Sequence, residues 1–222
     1  MTALSLPPGD NSWPELPYLG LRRFETDDAR LYSGREADIK RCRSLLLSSS
    51  VRVLVLQGLS GSGKSSFLRA GLLPFIERML PQVAHEGIVP VGPIVTASAD
   101  MIPQIARQVH AFVTEGGGRS MWSKQADMLK ASHPHPEDFA ALAAEDIQVL
   151  LDFLSELNRS PRFEFLIAID QVEDLWSVPE LLESRKLHED FFALVDEFAE
   201  ERLNGKLVLT LRTERFGVFA SK

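Results

Sequence analysis

A chain of 222 residues is long enough for one generous domain, or for one domain with a small appendage. Its 45% hydrophobic and 25% charged residues describe an ordinary globular chain, and no apolar run approaches the roughly 18 residues of a membrane span. A formal charge of −7 argues against a broad nucleic-acid surface, and a single cysteine, Cys42, excludes an internal disulfide framework and fits a reducing cytoplasm.

Residues 1–16 are rich in Pro, Ser and Gly and carry no secretory leader pattern, so a flexible lead is expected there. Residues 17–50 form an apolar-anchored segment with a helix at about 36–47. Cys42 reads as a plain residue of that helix, and Arg35, Lys40, Arg41 and Arg43 as its solvated face. The core is expected over residues 51–222. Residues 51–57 are almost continuously aliphatic, the pattern of a parallel strand buried on both faces. The next helix starts at Ser65 with Phe67, Leu68, Leu72, Phe75, Ile76 and Met79 on one side, and Pro74 must bend or stop it.

Further along, residues 88–97 predict a strand and residues 101–114 a helix ended by Gly116, Gly117 and Gly118. Residues 119–138, with Pro134 and Pro136, read as an irregular insertion. Leu150, Leu151, Leu154 and Leu157 mark a helix on a core. A strand at 163–169, a helix at 187–202 with Phe191, Phe192, Val195, Phe198 and Ala199 inward, and a strand at 207–211 complete the order. Strands alternating with helices imply a three-layer α/β sandwich around a mainly parallel sheet.

The chemistry begins at Gly58-Leu59-Ser60-Gly61-Ser62-Gly63-Lys64-Ser65, which satisfies G-x-x-x-x-G-K-[ST] in full. A buried strand precedes it and an amphipathic helix follows, which sets it apart from a chance Gly/Ser-rich turn. Its glycines let successive N–H groups turn inward around a phosphate, and the helix start adds its positive end. Lys64 can bridge the β- and γ-phosphates, and the Ser65 hydroxyl can ligate Mg²⁺. Ser66 closes the set of candidate nucleotide contacts.

A second signal is the apolar strand ending at Asp170. Ligands of open α/β sheets sit beyond the carboxyl ends of the strands, so Asp170 is placed to hold Mg²⁺, or else caps the following turn. Gln171 comes next, and it can orient a water but cannot accept its proton. Glu173 is the candidate base if the chain turns back towards the γ-phosphate; otherwise Glu173 and Asp174 sit in an exposed first helical turn, where negative charge is favoured. Arg212 ends the last strand at the same sheet edge, either to sense the γ-phosphate or to make a surface ion pair.

Together these residues resemble the STAND signalling ATPases of the novel STAND NTPase 1 type. The matching pieces are Pro17–Phe24 leading to Gly34-Arg35-Glu36, the phosphate loop continuing to Pro74, Asp170-Gln-Val-Glu-Asp174, and Leu209-Thr-Leu-Arg212. The resemblance implies a P-loop NTPase fold, an adenine pocket near Gly34, Arg35 and Glu36, a Mg²⁺ aspartate at Asp170 and a phosphate-sensing Arg212. Val172 and Asp174 depart mildly from the family's Phe and Glu. Proteins of this type resemble five-stranded sheets followed by helical and winged-helix modules, whereas four strands are recognisable here, so a core incomplete at its C-terminus is expected.

The resulting expectation is an ATP- and Mg²⁺-binding, slowly hydrolysing conformational switch in the cytoplasm. Its partners would be C-terminal protein modules or identical subunits, with neither membrane nor nucleic acid. The rivals are a small-molecule kinase using the same phosphate cradle and a nucleotide-binding scaffold that never hydrolyses.

Overall fold

The computed structural model describes residues 22–79, 87–92, 94–158, 162–177 and 182–220. The expected lead at 1–16, and the start of the first matching piece at 17–21, lie outside the described residues.

Among the described residues five strands form one sheet in which every pairing is parallel: β1 (Val53–Gly58), β2 (Gly87–Pro90), β3 (Val95–Thr96), β4 (Phe163–Asp170) and β5 (Gly205–Arg212). Their spatial order is β1-β5-β4-β2, with β3 also against β4. The strand expected at 88–97 is thus split. Gly92 takes a positive φ of 71° between the two halves, and both halves pair with β4. β5 is last in the chain yet central in the sheet, and its residues from Gly205 to Leu211 are all buried.

Side chains alternate between two apolar layers, as a pleated strand requires. Phe165, Ile167 and Ile169 of β4, with Leu207, Leu209 and Leu211 of β5, face one core. Leu166, Ala168 and Val208 face the other, which holds Leu46, Phe67, Leu68, Leu72 and Ile76. The first layer is covered by α4 (Met101–Thr114), α5 (Ser123–Ser132), α6 (Pro136–Glu145), α7 (Gln148–Leu157) and α8 (Leu182–Ala199). The second is covered by α1 (Glu36–Leu46) and the helix after the phosphate loop. Three layers around a parallel sheet match the expected class.

β1 departs from expectation. Among the described residues it pairs only with β5, and Val53 to Leu56 are half-buried and Gln57 exposed instead of enclosed on both faces.

The helix after the loop runs from Lys64 to Met79 without stopping at Pro74. It begins as α2 (Lys64–Ser66), widens into a π turn (Phe67–Leu72) and resumes as α3 (Leu73–Met79). Leu73 N–H donates to Leu68 O, five residues back. The wider turn absorbs a proline that has no N–H to give and would crowd the carbonyl four residues before it.

Residues 119–138 are not irregular. After a short 3₁₀ turn (Gly117–Ser120) they form α5, and Pro136 opens α6 at its first turn, where a missing N–H costs nothing. Trp122 anchors the insertion: fully buried, its indole Nε1 donates to Leu157 O at 3.1 Å. In α8 the inward face is Leu187, Phe191, Leu194 and Phe198, while Phe192 and Val195 are half-buried.

At the N-terminal sheet edge, buried Lys206 donates to the carbonyls of Ser48 at 2.9 Å and Val51 at 2.8 Å. Glu164 lies 3.7 Å from this ammonium and 2.7 Å from Arg52. These bonds tie the α1–β1 connection to the central strand.

Among the described residues no helix is long and apolar enough to cross a membrane.

Candidate functional site

Parallel strands bring their carboxyl ends to one edge, and the register decides which residues meet there. Gly58 is paired with Arg212, and Thr96 with Asp170. The phosphate loop leaves β1 at this edge. Gly61 and Gly63 take φ values of 74° and 81°, a region that L side chains rarely adopt, and this turns the loop backbone inward. A Cβ at Gly58 would meet Ser62 Oγ at 2.7 Å, so a side chain there would displace the Ser62 hydroxyl.

Lys64 is folded across this loop. Its Nζ donates to Gly58 O at 2.8 Å and Leu59 O at 2.9 Å, two neutral carbonyls of the loop itself. Ser65 Oγ donates to Asp170 Oδ1 at 3.0 Å, so the loop and the end of β4 are in direct contact.

Asp170 is wholly buried. Its Oδ1 also accepts a short hydrogen bond from Thr210 Oγ1, while Oδ2 has no hydrogen-bond partner among the described residues. An orphaned carboxylate oxygen beside a hydroxyl is a hard donor set suited to Mg²⁺, which binds through one or two carboxylates with the phosphates and waters supplying the rest. Among the described residues no group of three or more His, Cys, Asp or Glu is placed to hold a metal by itself. The residues fit a cation that arrives with a nucleotide.

Thr210 was not singled out by sequence reasoning. Fully buried, it orients Asp170 and accepts the Gln171 N–H at 2.8 Å. A hydroxyl inside the otherwise aliphatic Leu-Val-Leu-Thr-Leu run was the available signal.

Gln171 holds a left-handed φ of 58°, an uncommon conformation for a residue with a side chain. That kink turns the chain back into a 3₁₀ turn (Val172–Ser177) and buries Glu173. Glu173 is therefore no exposed helix-start carboxylate. Its Oε1 lies 2.9 Å from Arg212 Nε, and its Oε2 accepts the Arg212 backbone N–H at 3.2 Å. The Arg212 side chain is 43% exposed, so the pair opens to solvent on the arginine side.

Of Gly34, Arg35 and Glu36, Arg35 reaches the helix that follows the loop. Arg35 lies over the Phe67 ring at 5.3 Å and pairs with Asp38 at 2.6 Å. Glu36 Oε1 accepts the Gly34 N–H at 2.9 Å, and this bond holds its carboxyl below the usual range. The Phe24 N–H donates to Ser66 Oγ at 3.0 Å, which ties the preceding segment to the helix. Tyr32 lies close enough to Gly71 that a Cβ there would meet its ring at 2.9 Å. Burial pushes the Tyr32 phenol up. Burial likewise raises the Cys42 thiol, which argues against a reactive thiolate.

Comparison with curated proteins and with solved structures returned no match. The family model described as Novel STAND NTPase 1 matches residues 17–222, a span that takes in the phosphate loop, Asp170, Glu173 and Arg212. With that match over nearly the whole chain, and with a phosphate loop set on a parallel α/β sandwich, the chain belongs to the novel STAND NTPase 1 family.

Proposed function

We propose that this NTPase domain is an ATP-dependent conformational switch that binds ATP with Mg²⁺ and hydrolyses it slowly. The observation that carries the reading is the convergence of the Gly58–Ser65 loop, Asp170 and Arg212 at one sheet edge. Lys64 would exchange two neutral carbonyls for charged β- and γ-phosphate oxygens, which accept stronger hydrogen bonds. Loop amides and the helix start would face the same oxygens, with Ser66 nearby and Gly34, Arg35 and Glu36 towards the base. Ser65 and Asp170 would hold Mg²⁺, whose chemistry there is to neutralise charge on the phosphates.

Arg212 would sense the γ-phosphate, and in leaving Glu173 it would free a buried carboxylate to take a proton from water. Gln171 would orient that water. Modules C-terminal to this segment, or identical subunits, would read the change through differential contacts in the two states. A reducing cytoplasm suits the lone Cys42, and the acidic charge offers nothing to nucleic acid.

The Glu173–Arg212 pair also favours a second reading, a scaffold that binds nucleotide without turnover, because Glu173, the candidate base, is already engaged by Arg212. Incubation with ATP and Mg²⁺, with and without candidate acceptors, decides between the readings. ADP alone supports the switch, a phosphorylated acceptor supports a kinase, and bound but intact ATP supports the scaffold.

A further inference from the structure

The charges around Asp170 include one that the nucleotide reading leaves unused. Arg69 stands in the π turn, its side chain only 11% exposed. Its Nε pairs with Asp170 Oδ2 at 3.5 Å, yet neither atom has a hydrogen-bond partner among the described residues. A buried guanidinium and carboxylate ordinarily close into short, paired bonds. Here the charges face each other without a hydrogen bond. The other two nitrogens make equally long contacts: Nη1 donates to Glu25 Oε2 at 3.4 Å and Nη2 to Thr96 Oγ1 at 3.4 Å.

Arg69 therefore neutralises a fully buried carboxylate while leaving its second oxygen free of any hydrogen bond. A divalent cation at Asp170 would draw on the same carboxylate and carries the same sign of charge. In a site excluded from water two cations repel strongly, so they compete for one carboxylate. Arg69 has an alternative partner already within reach. Glu25 is 40% exposed and belongs to the segment whose Phe24 N–H is held by Ser66.

We propose that Arg69 is a built-in competitor of the divalent cation at Asp170, and that metal binding transfers it to Glu25, tightening the segment around residues 24–31 on the loop helix. Arg69 is on this account a positioning residue that couples the metal oxygen to the base-side segment. The inference rests on the reading of Asp170 as the metal carboxylate.

The test is a Mg²⁺ titration of the full chain with a fluorescent ATP analogue, begun in chelator. Arg69→Gln should lower the Mg²⁺ midpoint on the order of tenfold, the scale on which one adjacent charge shifts a carboxylate. Glu25→Gln should raise the midpoint, because Arg69 then leans on Asp170 alone. In the Arg69→Gln background Glu25→Gln should have no effect, which separates coupling through Arg69 from a general change of charge. A midpoint unchanged or raised by Arg69→Gln overturns the proposal, as does a Glu25→Gln effect of equal size in both backgrounds.

Arg69→Met, which removes the charge but keeps an extended side chain, should lower the midpoint likewise and serves if the glutamine variant does not fold, whereas Arg69→Lys, which keeps the charge, should stay near the parent midpoint. If the analogue binds neither with nor without Mg²⁺, the nucleotide reading itself fails. Thermal unfolding then decides the pair: Mg²⁺ with inorganic triphosphate should raise the Tm of Arg69→Gln more than that of the parent, and equal shifts overturn the proposal.

Discussion

Glu173 and Arg212 hold each other at the C-terminal edge of the sheet, through a 2.9 Å ion pair and a 3.2 Å bond to the arginine's backbone N–H. The pairing spans two strands and puts a buried carboxylate beside the last residue of β5. If Glu173 is the base, it works only when Arg212 lets go. Turnover should then fall well below the roughly 1–10³ s⁻¹ of typical enzymes. Glu173→Gln should lower it further, by up to the roughly 10²–10⁴-fold that a general base contributes, and should change rate far more than ATP affinity. Gln171→Glu should raise it. Single-turnover ADP release measures both, and a Glu173→Gln variant as fast as the parent removes Glu173 from the chemistry.

Lys64→Ala should abolish measurable ATP binding. Two charge-assisted hydrogen bonds at roughly 1.5–3 kcal/mol each correspond to a loss on the order of 10²–10⁴ in affinity. The bonds given up in the empty protein go to two exposed or half-buried loop carbonyls, so stability should change little. Titration calorimetry showing the parent affinity would remove the loop from nucleotide binding.

Asp170→Asn should weaken ATP binding in Mg²⁺ much more than in chelator. The amide is a poorer ligand for a hard cation, and its NH₂ cannot accept from both Ser65 and Thr210 if it is turned towards them. Equal losses with and without metal would show that Asp170 acts only as a structural acceptor.

Gly71→Ala should destabilise the protein by roughly 1–3 kcal/mol, the usual penalty for overpacking. The added methyl group would stand 2.9 Å from the Tyr32 ring and 3.1 Å from Ile39 Cδ1. Denaturant midpoints report the loss, and Tyr32→Ala in the same background should recover part of it.

Tyr32 also sets an alkaline limit. Burial raises its phenol above the ordinary value near 10, so the folded protein keeps a proton that the unfolded chain releases. Its contribution is whole below that ordinary value and is lost as pH climbs through the raised one. Tyr32→Phe should remove this part of the alkaline decline in Tm. A parent and variant with parallel Tm profiles above pH 10 would show that Tyr32 is not responsible.

The local features of this protein are legible in its residues because they depend on neighbours in the chain. The Gly58–Ser65 loop, the helix at Met101–Thr114 and the strand ending at Asp170 follow from glycine placement and apolar periodicity alone. Two prolines show the limit of local signs. Pro136 reads as part of an irregular stretch but starts α6, since a proline at a first helical turn gives up no bond. Pro74 is expected to bend or stop its helix, and of the two it distorts without stopping, through a π turn that packs against β1 and α1.

Strand order belongs wholly to the tertiary structure. Nothing within residues 205–212 says that the last strand inserts between β1 and β4, because parallel pairing is set by burial across the sheet and not by chain order. That insertion brings Thr210 to Asp170 and Arg212 to Glu173, and the same folding brings Arg69 to the far side of the carboxylate. The sequence by itself determined which residues could carry phosphate chemistry. Only the three-dimensional packing decided which of their charges are held by one another, because electrostatic contacts between residues 39 to 101 positions apart exist only after the layers have closed.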